Sequence, residues 1–328
     1  MNTALFRAAA AACVTLALLS NARGADLELP RDGWASWEID AVEGARAWCC
    51  YKTWDGSGEA SCDLDTKSGG HTVRDDSTTD KMRVYARLAG GKVERLRTLA
   101  ASCPVVAKTP IQTIDTTTED SARWLIAKSK AGEWTNSDLR ESSLAAIAMH
   151  RGDLAHNELV ARARGGGSVD AREKAVFWLG LVRGKAGADV VTDLMFNDEN
   201  ARLRQHAAFA ISLSKSPSAT ANLIKLGNTD KDGEVRGQAW FWLANTGAPD
   251  AEAAIRAALR KDSDDRVREK AIFALSRLPD KRGTHALIEV VEDKSFTNEQ
   301  RRRAVFWLAQ SDSKEAQSYL EKVLVDKR

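Results

Sequence analysis

The chain has 328 residues, 48 of them basic and 46 acidic, for a formal charge of +2. That length allows two domains, and a composition of 43% apolar and 29% charged residues excludes wholesale disorder. Near-neutrality argues against a nucleic-acid partner, which needs a basic excess. Only one stretch, at the very start, is apolar enough to consider for a membrane.

Residues 1–24 read as a secretory leader: Arg7, an apolar run from Ala8 to Leu19, then small residues at Ala22 and Gly24. The run is too short to span a bilayer, which needs roughly 20 residues. Cleavage after Gly24 fits best, with Ala22 as the other position. It leaves 46 basic and 46 acidic residues, no membrane span, and a periplasmic or secreted protein. Cys13 lies inside the apolar run and is not a lipid-attachment cysteine. The other four, Cys49, Cys50, Cys62 and Cys103, fall in one small region, as two structural disulfides would require in an exported chain. Neighbours in a strand point to opposite faces, so Cys49 and Cys50 take different partners. Whether each takes Cys62 or Cys103 stays open. A zinc site is the alternative, but no C-x-x-C pair is present.

Residues 25–104 have strand-and-turn grammar. Trp37, Ile39 and Ala41 alternate with polar neighbours, and so do Met82, Val84, Ala86 and Leu88. Gly90-Gly91 reads as a tight hairpin turn into Lys92–Leu99. Trp34, Trp37, Trp48 and Trp54 serve either as the core of a small β domain or as an aromatic ligand platform; the core reading is preferred. Residues 105–119, rich in Pro and Thr, read as a linker.

Residues 120–328 are periodic. Segments of the type REKAVFWL begin at Arg172, Arg204, Arg236, Arg268 and Arg301, with a weaker copy at Arg140; the spacing is 32 residues four times, then 33. Seven positions before a small residue stand Asn136, Ser168, Asn200, Asp232, Asp264 and Thr297, all helix N-cap formers. The small row is Ser143, Ala175, Ala207, Ala239, Ala271 and Ala304. Four residues on come Ile147, Leu179, Ile211, Leu243, Leu275 and Leu308, on the same helical face. A preceding helix in each unit is marked by Leu159, Val191, Leu223, Ile255, Leu287 and Leu320, and Lys314–Asp326 looks like a terminal cap.

D-x-x-V-R-x-x-A at Asp232–Ala239, and its looser form at Asp264–Ala271, resemble HEAT repeats, and most of all the short HEAT-like repeats of phycocyanobilin lyases. The resemblance covers about residues 120–328. It implies a mainly α chain, an α-solenoid of about six helix pairs behind a small disulfide-bonded β-rich domain. It further implies that the Arg row pairs with capping acids of neighbours, for which Asp232 and Asp264 are available. Such arrays mostly bind proteins, so an unidentified protein partner along the concave face is expected. Phe177, Phe209, Phe241, Phe273 and Phe306 share one position pointing away from the core rows. They form either an exposed apolar stripe or packing between repeats, with packing slightly preferred. The alternation of Ala146, Trp178, Ala210, Trp242, Ala274 and Trp307 reads as interdigitation.

The alternative function is an enzyme of the HEAT-like class, lyase-like or an oxidoreductase related to deoxyhypusine hydroxylase, with an unrecognised site. None of the five histidines is followed by Glu, and His156 and Glu158 lie about 200° apart on a helix. Asp115, Glu119 and Asp120 read as a helix start rather than a calcium site. No catalytic residue, metal ligand or cofactor is assigned, since no known catalytic or nucleotide-binding fingerprint occurs.

Overall fold

The computed structural model describes residues 27–49, 61–66, 72–279 and 281–325. The leader at 1–24, Cys50 and Trp54 lie outside them. The β part comprises β1 (Gly33–Asp40), β2 (Arg46–Cys49), β3 (Cys62–Asp63), β4 (Thr72–Thr78), β5 (Lys81–Ala89), β6 (Lys92–Ala100), β7 (Val105–Val106) and β8 (Ile111–Thr113). The main sheet has the order β6-β5-β1-β8, antiparallel except for the parallel pair β1–β8; β2–β4 and β3–β7 form two small ribbons. Gly90 and Gly91 turn β5 into β6 with φ of +57° and +76°, a conformation that favours glycine at both positions.

The sheet is covered on both faces. Trp37, Ile39, Met82 and Val84 pack toward the helices. Trp34, Tyr85, Leu64 and Leu99 pack on the other side around the Cys49–Cys103 disulfide. Cys62 is disulfide-bonded as well. Trp34 and Trp37 are buried core residues, so they form no exposed ligand platform. Residues 105–119 do not act as a spacer: β8 pairs with Trp34–Ser36 of β1, and α1 starts at Thr118. A Pro/Thr-rich composition reads as a linker because its short strands are held by tertiary pairing rather than by local periodicity.

Thirteen helices follow among the described residues: α1 (Thr118–Lys130), α2 (Ser137–Met149), α3 (Asp153–Arg164), α4 (Val169–Val182), α5 (Gly184–Asn197), α6 (Ala201–Leu213), α7 (Ala219–Thr229), α8 (Gly233–Asn245), α9 (Ala251–Lys261), α10 (Asp265–Ser276), α11 (Arg282–Glu292), α12 (Asn298–Ala309) and α13 (Lys314–Val325). They make six pairs and a terminal helix. All six expected caps stand at the starts of α2, α4, α6, α8, α10 and α12, each side chain accepting from a backbone N–H of the first turn. The small row and the row four residues on are fully buried, from Ser143 and Ile147 to Ala304 and Leu308. Close approach of successive units is visible at Gly180, where a Cβ would lie 2.6 Å from the Ala210 carbonyl oxygen. At Gly227 it would lie 2.5 Å from the Trp240 indole.

The β part and the array share one core. Trp37 meets Trp124 of α1 edge-on at 5.7 Å, and Trp124 meets Trp134 at 5.8 Å. Backbone bonds tie the end of β1 to the α2–α3 turn: Val42 N–H donates to Met149 O, and Arg151 N–H to Asp40 O. Buried between them, Trp37 Nε1 donates to Ser121 Oγ at 2.6 Å, and Ser121 Oγ lies 2.7 Å from His150 Nε2. His150 Nδ1 lies 2.7 Å from Ala146 O, a carbonyl that can only accept, so Nδ1 carries the proton and Nε2 accepts from Ser121. Burial holds the imidazole pKa down to about 4, and the charge of Arg183 acts in the same direction.

Candidate functional site

The even-numbered helices α2 to α12 pack on one another more extensively than the odd-numbered ones do and form the closer-packed, inner layer of the array. Phe177, Phe209, Phe241, Phe273 and Phe306 stand on α4, α6, α8, α10 and α12 of this layer. Phe177 stacks on Phe209 at 6.0 Å, and Phe241 on Phe273 at 5.5 Å. The Trp row links these pairs: Trp242 sits 4.5 Å from Phe209 and 4.7 Å from Phe241, and Trp307 lies 4.7 Å from Phe273. At the first end Trp178 touches both Phe177 (5.1 Å) and Trp48 of β2 (5.6 Å). At the last end Phe306 caps Trp307 at 5.1 Å and is 51% exposed. Nine rings therefore form one unbroken row from the β part to α12. The four earlier Phe rings are half-buried, packed by their neighbours yet with an edge toward solvent. At the alternating small positions Ala146, Ala210 and Ala274 are fully buried.

Two cavities open at the first end of this face. One, of about 570 Å³, lies between β6 and α2 and is bordered by Trp48, Trp178 and Asp138. The other, of about 510 Å³, lies over α4 and α6 beside Phe177, His206, Glu173 and Arg202. Burial lowers the pKa of His206. Ion pairs between successive inner helices border the ring row: Glu141–Lys174, Glu173–Arg202 (2.9 Å), Glu234–Lys270 and Glu269–Arg303 (3.0 Å).

The Arg row does pair with acids of the next unit, but not with the caps. Arg204 binds Asp230 and Arg236 binds Asp262, each through two bonds of 2.8 and 2.9 Å, and Arg172 binds Asp198. Each of these acids stands two residues before a cap and also accepts from the cap's own N–H. The cap carboxylates of Asp232 and Asp264 are taken by their own helix N-termini instead. The separation is 26 residues in each pair, and the ladder stops where that position holds Lys294 or Gly166. Arg268 turns to Asp265 and to the Asp262 carbonyl.

Among the described residues no group of three or more His, Cys, Asp and Glu is placed to hold a metal ion. Glu158 is occupied by Arg162 (2.8 Å) and Lys130 (3.1 Å) rather than by His156. No described helix is long and apolar enough to cross a membrane.

Antiparallel helix pairs stacked in one direction, with a ladder of buried ion pairs between units, define an α-solenoid. The repeats are HEAT repeats: the model for that family matches residues 157–240 and 222–298. No curated protein matches the chain. Among solved structures it is similar to human deoxyhypusine hydroxylase in complex with glycerol, with 20% identity and a TM-score of 0.33 over 54% of this chain; the match spans 65% of the hydroxylase. It is also similar to the CpcE–CpcF complex of phycocyanin lyase from Nostoc sp. PCC7120, with 18% identity and a TM-score of 0.33 over 61% of this chain and 77% of that one.

Proposed function

We propose that the chain is an exported scaffold that binds another protein along the inner face of its solenoid. The unbroken row of half-exposed rings from Trp48 to Phe306 carries this reading. Packing within the monomer accounts for the buried sides of these rings but not for the edges left on an open face, and partner segments dock on such stripes. The Cys49–Cys103 disulfide and the leader-like residues 1–24 support export. The domain division is leader, β unit and solenoid, in which the β unit serves as the N-terminal cap that covers the apolar side of the first helix pair.

The test is capture of a partner from envelope extract by the full chain, compared with Phe306→Ser and Phe177→Ser. Both variants should lose the partner, with the Phe306→Ser melting temperature within about 2 °C of the parent. Retention of the partner by both variants overturns the reading.

A further inference from the structure

The charges beside the ring row specify the partner further, on the basis of the inner-face reading. On α2 they are Asp138 and Glu141, and on α4 Asp170 and Glu173 against Lys174. The same repeat positions on α10 hold Glu269 and Lys270, together with Arg266, which Asp264 neutralises at 3.0 Å. Arg277 borders the row below Phe273. On α12 the positions hold Arg302 and Arg303 against Glu299. With ion-pair partners counted at both ends, Arg202 on Asp170 and Glu173 and Glu234 on Lys270 as well as Asp264 on Arg266, the inner face carries −2 at the α2–α4 end and +1 at the α10–α12 end. Arg95 and Arg97 also border the first cavity, but they donate to the Leu64 and Thr66 carbonyls, on the side of Asp63 and Asp65. Among the described residues Asp138 accepts from Ser137 Oγ and stands outside the ion pairs of its end, and Arg277 and Arg302 stand outside those of theirs.

We infer that the occupant is an amphipathic segment of a partner protein, basic at the end lying over α2 and α4 and acidic at the end lying over α10 and α12. Its apolar side chains rest on the rings. Opposed charges at the two ends fix its direction, because like charges across the face repel and each mismatch loses an ion pair. Six inner helices at about 9 Å per step span roughly 45 Å, which corresponds to about 30 residues of helix or about 13 of extended chain.

The experiment uses the full chain and two synthetic helical peptides of about 28 residues with one apolar face and equal numbers of Lys and Glu. In one peptide the lysines and glutamates are segregated to opposite ends; in the other they alternate. Binding is read by the fluorescence of the ring-row tryptophans. The segregated peptide should bind about tenfold tighter at low salt and lose that advantage near 0.5 M salt. Asp138→Lys should weaken the segregated peptide alone. Equal affinities overturn the charge inference and leave the binding face standing. Failure of both peptides overturns both readings. A dimer of the chain by itself that dissociates with salt assigns the pattern to a second copy, and overturns the inference as well.

Discussion

Arg204 and Asp230 face each other through two parallel hydrogen bonds of 2.8 and 2.9 Å, with side chains only 3% and 4% exposed. The pair joins α6 to the turn before α8, and the same carboxylate fixes that turn by accepting from Asp232 N–H. Arg204 also donates to the Asp198 and Glu199 carbonyls, so one guanidinium closes two consecutive turns. It holds Asp230 charged below its ordinary pKa, against the opposing effect of burial.

Removing one partner of such a pair is costlier than never having had it, because a buried charge is left uncompensated. Asp230→Ala should therefore lower stability by about 3–5 kcal/mol in urea unfolding. Arg268→Ala, at the ladder's end, where the side chain is partly exposed, should cost about 1 kcal/mol or less. Equal losses at the two positions contradict the ladder.

His150 gives a prediction in pH. Its folded-state pKa is about 4 against 6.5 in the open chain, so the unfolded state binds the extra proton between those values. Its contribution is fully present above pH 6.5, shrinks as pH falls, and is gone below about 4. The loss is on the order of 3 kcal/mol. Unfolding of the parent should show this slope between pH 6.5 and 4, and His150→Leu should remove it while lowering stability at neutral pH.

Gly180 tests the contact between α4 and α6. In an exposed helix interior Gly→Ala gains about 1 kcal/mol. Here the added Cβ meets the Ala210 carbonyl oxygen at 2.6 Å, so Gly180→Ala should instead destabilise by about 1–3 kcal/mol. A rise in melting temperature would mean that the two helices can separate.

Rings within the row should differ from the ring at its end. Phe209 touches Phe177, His206 and Trp242, so Phe209→Ser should cost about 2–4 kcal/mol. Phe306, half in solvent against Trp307 alone, should cost about 1 kcal/mol. Thermal unfolding of the two variants checks the order.

The repeat, its six caps and its buried rows were legible from Asn136 to Leu308 because each obeys a rule inside one 32-residue unit. A cap needs only its own first turn, and a core position only its helix face. The Phe row left two readings open, since position on a helix does not say how closely the next helix leans over it. The structure packs four rings and opens the last. The Arg partners were legible as acids of a neighbouring unit but misplaced by two residues, because an Asp at the cap is already engaged by its own N–H groups.

What the sequence by itself determined is the periodic part: helix pairs, their boundaries, the small residues at their contacts and a cysteine-bearing β unit ahead of them. What only the tertiary structure decided is how distant parts meet. Trp37, Ser121 and His150 come from three separate segments, and no spacing relates them. β8 at Ile111–Thr113 is a strand only because β1 supplies its hydrogen bonds. Local rules act through neighbours along the chain, whereas these contacts exist only once the β unit has closed over the first helix pair.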